Sequence, residues 1–371
     1  MSPDTTTPAH AVPVAPTVAP APVERPPVSV VIPVLNEARH LRESVHRILD
    51  QDYPGPLEVV LALGPSKDAT DAVAADLAAH DPRVRVVRNP TGRTPAGLNA
   101  AIRASGNPVV VRVDGHGLLN PGYIRTAVRL LDETGAANVG GVMAAEGVTD
   151  FTRAVAAAMT SVFGVGGARF HTGGEAGPAE TVYLGVFRRE VLERLGGYDE
   201  SFLRAQDWEL NHRIRQAGEL VWFSPELSVT YRPRASLVDL GRQYFHYGRW
   251  RRVVMRQHEG TVNARYLAPP VTVVACLGGL AAAPFVPWAL VLPAGYGLGV
   301  LGASALIGRG LPVRSRLVLP AVLGTMHWSW GLGFLTSPRR LARRDPAPAD
   351  VSDGPGPRSP RPDAGGAPGA R

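Results

Sequence analysis

Short runs of β-branched and apolar residues alternate with amphipathic stretches through the first two-thirds of this chain. The runs are 28–34 (VSVVIPV), 57–63, 84–87 and 108–113, and buried parallel strands read this way. Helices are predicted between them. One covers 36–51, capped by Asn36, with Leu41, Val45, Ile48 and Leu49 on one face; a second covers 69–79, capped by Asp68; Thr94-Pro95 opens a third. This alternation means βαβ units and a mostly parallel sheet. Asn120-Pro121 supplies an N-cap and a proline for a helix over 121–133. Strands near 138–143 and at 182–187 follow, then helices at 188–195 and 206–217, the last ended by Gly218. Two short strands, 220–223 and 228–232, complete a mixed sheet. The glycine-rich stretch 164–180, with His171, Glu175 and Glu180, is expected to be a mobile loop.

The pattern changes at residue 236. Over 236–258, Arg242, Arg249, Arg252 and Arg256 share one side of a helical wheel, and Leu237, Leu240, Tyr244, Tyr247 and Val254 the other; Arg251 and Phe245 break the pattern. A basic amphipathic helix of this kind lies in a membrane interface or packs on its own domain. No charged side chain occurs between Arg265 and Arg309, so 267–308 is long enough for two membrane spans. A third apolar candidate covers 317–336, with His327, Trp328 and Trp330 as interfacial anchors. Both the loop 309–316 and the stretch 339–344 are basic and favour the cytoplasmic side, which three full spans cannot satisfy. The expected organisation is a tail at 1–27, a cytoplasmic domain at 28–235, an interfacial helix at 236–262, a membrane anchor at 263–337 and a tail at 338–371. The proline-punctuated first tail forms neither a helix nor a secretory apolar region, and both tails are expected to be disordered.

Composition narrows the chemistry. The 371 residues are 45% hydrophobic, and the single cysteine, Cys276, excludes an intrachain disulfide and gives no support for a zinc site built on thiolates. The net charge of +7 is carried by arginine, Lys67 being the one lysine, and suits phosphates or anionic headgroups. No nucleic-acid-binding pattern accompanies it, so nucleic acid is not an expected partner. No G-x-G-x-x-G follows the first strand and no Walker sequence occurs, which disfavours a dinucleotide fold and a P-loop ATPase.

The strand 108–113 ends in Asp114-Gly115-His116. Ligands of open α/β sheets bind past the carboxyl ends of strands, and an oxygen and a nitrogen donor two residues apart can hold a divalent metal on a diphosphate. A polar turn capping the next helix is the plainer reading. Asp207, at the start of a predicted helix, is a second candidate, as a base for an acceptor hydroxyl or as a first-turn acid favoured by the helix dipole.

These residues resemble the family-2 inverting glycosyltransferases, most closely the exopolysaccharide glucosyltransferases of the succinoglycan type. VSVVIPVLNE is similar to that family's first strand and nucleotide-binding turn, GPSKDAT (64–70) to its Gly-Ser-Thr-Asp-Gly-Thr element, and GRTPAGLNAAI (92–102) to the segment before the metal-binding strand. VDGHG takes the place of the Asp-x-Asp motif. QDWELNHRIRQAG (206–218) resembles the block containing the catalytic base, and QYFHYGRW (243–250) the Gln-x-x-Arg-Trp block of processive members, with longer spacing. The resemblance implies a GT-A-type α/β fold, a Rossmann-like, mixed and mostly parallel sheet with helices on both faces, followed by C-terminal transmembrane helices. It implies donor contacts from Pro33, Asn36, Glu37, Asp68, Arg93 and Asp114, metal ligation by Asp114 and His116, and Asp207 as base. Arg249 and Trp250 hold the donor or close the site, or else contact the membrane surface. Tyr183, Trp208 and His171 are candidates for acceptor contacts, with packing as the competing role; His212 is expected on the helix surface.

Three departures stand out. Leu63 and Gly64 replace the family's acidic pair after the second strand, so uridine as the base is inferred from the resemblance. His116 replaces the second Asp, and imidazole suits Mn²⁺ better than Mg²⁺. Gln206 replaces the Glu before the base. The expected activity is transfer of a sugar, glucose from a UDP donor, to a lipid-linked glycan acceptor at the cytoplasmic membrane in exopolysaccharide or envelope synthesis. Transfer to a polyprenyl phosphate and a catalytically dead sugar-nucleotide-binding subunit remain as competing readings.

Overall fold

The structure, a computed structural model, describes residues 25–341. Nearly all of the two predicted tails lies outside the described residues. The first half alternates as its pattern predicts: β1 (Val28–Val34), α1 (Leu41–Leu49), β2 (Leu57–Leu63), α2 (Thr70–His80), β3 (Val84–Arg88), α3 (Thr94–Ala104) and β4 (Val109–Arg112). The second half adds β5 (Leu118–Leu119), α4 (Tyr123–Thr134), β6 (Asn138–Ala145), α5 (Asp150–Met159), α6 (Val162–Val165), α7 (Arg169–Thr172), β7 (Gly177–Pro178), β8 (Tyr183–Arg188), α8 (Arg189–Arg194), α9 (Gln206–Gln216) and β9 (Val221–Tyr231).

The strands form one sheet in the order β3-β2-β1-β4-β8-β6-β9-β5, with β7 paired to β9. The first four run parallel, β8 is antiparallel to both β4 and β6, and β6 and β9 are parallel. Strand side chains alternate between faces: Val30, Ile32 and Val34 enter the core under α1 and α4, and Val31 enters the opposite core under α3. The carboxyl ends of β1, β4, β6 and β9, and the start of β8, all meet at a single edge of the sheet.

Several boundaries differ from expectation. Asn36 does not cap α1; it takes a left-handed conformation (φ 56°) and the helix starts at Leu41. Asn120-Pro121 forms a turn, and α4 starts after Gly122 in the left-handed region. The stretch 164–180 contains the end of α6, α7 and β7 instead of being one continuous loop. The two strands expected at 220–232 are a single strand, β9, whose pairing with β6 jumps from Gly140↔Phe223 to Val142↔Ser228; an irregularity around Pro225 absorbs the residue that cannot donate to the ladder.

The C-terminal part consists of α10 (Leu237–Gln257), α11 (Ala264–Ala282), a 3₁₀ turn, α12 (Val291–Ile307) and α13 (Val313–Leu335). Helix α10 crosses α13 so closely that a Cβ on Gly248 would run into the carbonyl oxygen of Trp330, and one on Gly333 into that of Phe245. Two arginines of the basic side of α10 serve this contact. Arg252 donates to the carbonyl of Phe334 (3.2 Å) and Arg256 to those of Ser337 and Pro338 (3.0 and 3.2 Å), where the helix end leaves carbonyls without intrahelical partners. The third apolar segment turns inward as well: Leu319, Val322, Leu323 and Met326 of α13 are fully buried against α5 and α10. Helices α11 and α12 instead present Val271, Val274, Val291, Leu298 and Leu301 outward. Among the described residues, Ala264–Ala282 and Pro287–Ile307 are the helices long and apolar enough to cross a membrane.

Candidate active site

The loops that leave β1 and β2 are tied together. Asn36 donates its backbone N–H to Ser66 Oγ (3.0 Å), and its side-chain oxygen accepts from Lys67 N–H (2.7 Å). Asp68 accepts from the Thr70 hydroxyl (2.5 Å) and from the amides of Ala38 and Thr70 (3.2 and 3.1 Å); the hydroxyl first, then the amides, lower its carboxyl below the ordinary range. Asn36 and Asp68 thus build the wall between the two loops and do not line the cavity beside it. Gly64, where an acid was missing, donates its N–H to Val34 carbonyl (2.8 Å) and packs against Gly92.

Glu37 reaches from the β1 loop to the β4 turn. Its carboxylate meets His116 Nδ1 at 2.7 Å, passing over Gly115, where a Cβ would come within 2.8 Å of Glu37 Cγ. This hydrogen bond raises the His116 pKa, assisted by the Asp114 charge and opposed by burial. The arrangement leaves Nε2 of His116 as the atom able to bind a metal, with Glu37 orienting the ring from behind, as carboxylates commonly do for metal-ligating histidines.

The centre of the site is Arg112, the one polar residue in the β4 run. It is 3% exposed, donates to Asp114 Oδ1 at 2.9 Å, and forms an ion pair with Asp207. One buried guanidinium therefore joins two carboxylates 93 residues apart, and both open onto the same cavity of about 950 Å³. Burial would push the Asp114 carboxyl up, but the charge and hydrogen bond of Arg112, with His116, hold it below its usual value. Asp207 stands in the first turn of α9, which starts after Ala205 in the left-handed conformation (φ 60°). Farther along that helix, Arg213 grips Glu209 (2.7 and 2.8 Å) and the carbonyls of Leu195 and Gly197 (each 2.7 Å), anchoring α9 to the preceding loop.

Among the described residues no group of three His, Cys, Asp or Glu side chains is placed to bind a metal. Asp114 Oδ2 and His116 Nε2 are the donors on offer, a set that fits a divalent ion whose remaining ligands are water and substrate phosphate oxygens.

Of the other expected residues, Pro33, Tyr183, Trp208, Trp250 and His171 line the cavity, and Arg93 and Arg249 do not. Arg249 lies over the Phe245 ring at 5.5 Å, on the side of α10 turned away from the cavity. The side chain that does enter it is Arg251. Trp250 packs with Phe202, Trp208, Val253 and Val254. Tyr183 reaches the site because antiparallel β8 begins where β4 ends; burial, then the Asp114 charge, raises its phenol pKa, so it stays a proton donor. His212 is not on the surface. It is 8% exposed, stacked on Trp208 with ring centroids 5.2 Å apart. The signal for both unforeseen arginines was present in the sequence: Arg112 interrupts a strand core and Arg251 interrupts an amphipathic helix.

Residues 29–196 match the family described as "Glycosyl transferase family 2". The chain is 34% identical over 315 residues to the succinoglycan biosynthesis protein ExoA of Rhizobium meliloti, covering 82% of this chain and 93% of that one. It is 22% identical over 251 residues to a dolichyl N-acetyl-α-D-glucosaminyl phosphate 3-β-D-2,3-diacetamido-2,3-dideoxy-β-D-glucuronosyltransferase of Methanococcus voltae, covering 65% of this chain and 77% of that one. Among solved structures, the mannosyltransferase PcManGT of Pyrobaculum calidifontis, in complex with GDP-Man and Mn²⁺, shares the fold with a TM-score of 0.53 at 22% identity, over 85% of this chain and 89% of that one. The sheet with its edge-on cleft is the GT-A architecture, and this chain is a glycosyltransferase that belongs to family 2.

Proposed function

We propose that the protein is a membrane-anchored inverting glycosyltransferase that moves glucose from UDP-glucose to a lipid-linked glycan in exopolysaccharide or envelope polysaccharide synthesis. One observation carries this reading: Arg112 joins Asp114 and Asp207 in a cavity that continues, past Tyr183 and Tyr247, between the apolar helices α11, α12 and α13. A donor headgroup and a lipid-borne acceptor would both reach that space.

In this reading the loops after β1 and β2 receive the nucleoside, beside Pro33. Asp114 and His116 face the diphosphate and would hold a divalent ion, Mn²⁺ in preference to Mg²⁺ given the imidazole. When bound, that ion offsets the negative charge on the departing diphosphate. PcManGT, whose solved complex contains Mn²⁺, is a precedent in the same fold. Asp207 accepts the proton of the acceptor hydroxyl. The hydroxyl oxygen then bonds to the anomeric carbon on the face opposite the diphosphate, the carbon–oxygen bond to the diphosphate breaks, and the configuration inverts. Arg112 holds the two carboxylates in register throughout. The outward apolar faces of α11 and α12 support anchoring, with the sheet domain on the cytoplasmic side beside the basic loop 309–316.

A donor screen with purified protein in Mn²⁺ or Mg²⁺, reading which nucleoside diphosphate is released, tests the assignment. UDP released from UDP-glucose, faster with Mn²⁺, is expected; no release from any sugar nucleotide in the presence of a lipid extract would reject it.

A further inference from the structure

The cavity holds a second cluster of charge that the transfer chemistry at Asp114 and Asp207 does not use. Arg251 is 6% exposed and donates to the carbonyl of Thr261 (3.0 Å). Its guanidinium lies 3.4 Å from the Tyr266 ring centroid and 4.4 Å from that of Trp208. Among the described residues no carboxylate stands within ion-pair distance of it, and its Nε is buried without an acceptor. Arg265, which also lines the cavity, has its Nε buried and unpartnered; its NH2 donates to the Tyr266 hydroxyl and meets Glu180 at 2.8 Å, a carboxylate that is half exposed. His171, which lines the same cavity, has its Nδ1 buried without a partner. Burial and the Arg265 charge push His171 down to about 4, so it is neutral at pH 7. The two arginines repel each other, and burial holds Arg251 down at about 10.

Buried charges are normally paired, because an uncompensated one is costly. Two neighbouring guanidiniums on the wall of one cavity, with one half-exposed carboxylate paired to Arg265 and, among the described residues, none to Arg251, leave positive charge that matches a phosphate. Their place in the fold identifies the phosphate's owner. Arg265 opens α11, at the level where charged residues stop, and directly beyond it the cavity wall is Ala268, Thr272, Val300 and Ala303. A lipid phosphate has the same profile, an anion with a hydrocarbon chain on one side.

We propose that Arg251 and Arg265 bind the phosphate of the lipid-linked acceptor, whose hydrocarbon chain enters the apolar arm between α11, α12 and α13. The inference rests on the lipid-acceptor reading above. It places the acceptor phosphate in the same cavity as Asp207, at the arginines, and apart from the Asp114–His116 pair that faces the donor diphosphate.

The test is binding to the full chain in detergent, followed by calorimetry, with four probes: farnesyl diphosphate, farnesol, inorganic diphosphate, and UDP with Mn²⁺. Wild type should bind farnesyl diphosphate at least tenfold more tightly than farnesol or inorganic diphosphate. Arg265→Gln and Arg251→Gln should each weaken it by roughly ten- to hundredfold, the loss of charged hydrogen bonds, while UDP binding stays at the wild-type value and certifies the fold. If Arg251→Gln fails to fold, Arg265→Gln and Arg251→Lys decide. Unchanged farnesyl diphosphate binding in folded variants overturns the site but leaves the lipid reading intact. Equal weakening of UDP would assign these arginines to the donor and also overturn it. Wild type that binds farnesyl diphosphate no better than inorganic diphosphate would remove the lipid reading itself.

Discussion

Replacing Arg112 by methionine keeps most of the side-chain volume in β4 but strands two carboxylates. The magnitude follows from the pairing. Unit charges about 4 Å apart attract by about 4 kcal/mol at an effective dielectric constant near 20, and part of that offsets the cost of burying the guanidinium. Removing one partner of a buried ion pair costs about 3–5 kcal/mol, whereas neutralising the whole group is often close to neutral. Arg112→Met should therefore lower Tm by roughly 10 °C, at about 2–4 °C per kcal/mol for a domain of this size. The triple variant Arg112→Met, Asp114→Asn, Asp207→Asn should recover most of it. The pH dependence has a defined sign. The folded-state pKa of Asp114 is depressed, so its contribution is present above the unfolded value of about 3.9 and is lost as pH falls through the lower folded value. In Arg112→Met the unpaired carboxylate is desolvated and takes up a proton at a pH where the wild type stays ionised. The gap in Tm is widest at neutral pH and narrows in acid. Thermal unfolding in detergent at pH 7.5 and pH 5, for the wild type and the single and triple variants, gives all three comparisons. A triple variant as unstable as the single one, or a gap that ignores pH, would show that Arg112 serves packing and not charge.

Other consequences are testable separately. His116→Ala should abolish most Mn²⁺ binding measured with UDP present, and Glu37→Gln should weaken it by about 10–100-fold through loss of the orienting carboxylate. Gly248→Val or Gly333→Val should force α10 from α13, with a loss of at least about 1–3 kcal/mol from overpacking, read as accelerated proteolysis of the C-terminal helices. Leu298→Arg on the outward face of α12 should cost about 2.5–3.5 kcal/mol on membrane insertion and move protein from the membrane to the soluble fraction.

The strands of the first half were legible because Val28, Val30, Ile32 and Val34 on one face and Val31 on the other leave one reading of that segment: apolar on both faces, too short for a core helix, bounded by polar turns. Asn36 misled because asparagine serves two local purposes. It caps helices, and it also accepts the left-handed conformation while bonding a neighbouring loop, here Lys67, an interaction 31 residues away in sequence. Helix α5 lacks the usual sequence signature of its start, because Thr149 and Thr152 form its capping box and threonine replaces the Glu or Gln partner that usually signals one. The separation of α13 from the two outward apolar helices depends on packing against α10, which composition does not encode. Within the site, Asp114, His116 and Asp207 could be picked out by residue type and position. Arg112 and Arg251 could be seen only as exceptions to the apolar pattern, and such exceptions tend to fall at functional places.

The most direct test of the account separates donor binding from transfer. UDP–Mn²⁺ binding and sugar transfer to a lipid-linked acceptor are measured side by side for wild type, Asp114→Asn and Asp207→Asn. Asp114→Asn should lose both. Asp207→Asn should keep UDP binding near the wild-type value while transfer falls by about 10²–10⁴-fold, the range for a general base. Wild-type transfer by Asp207→Asn, or a loss of UDP binding equal to that of Asp114→Asn, would contradict the account.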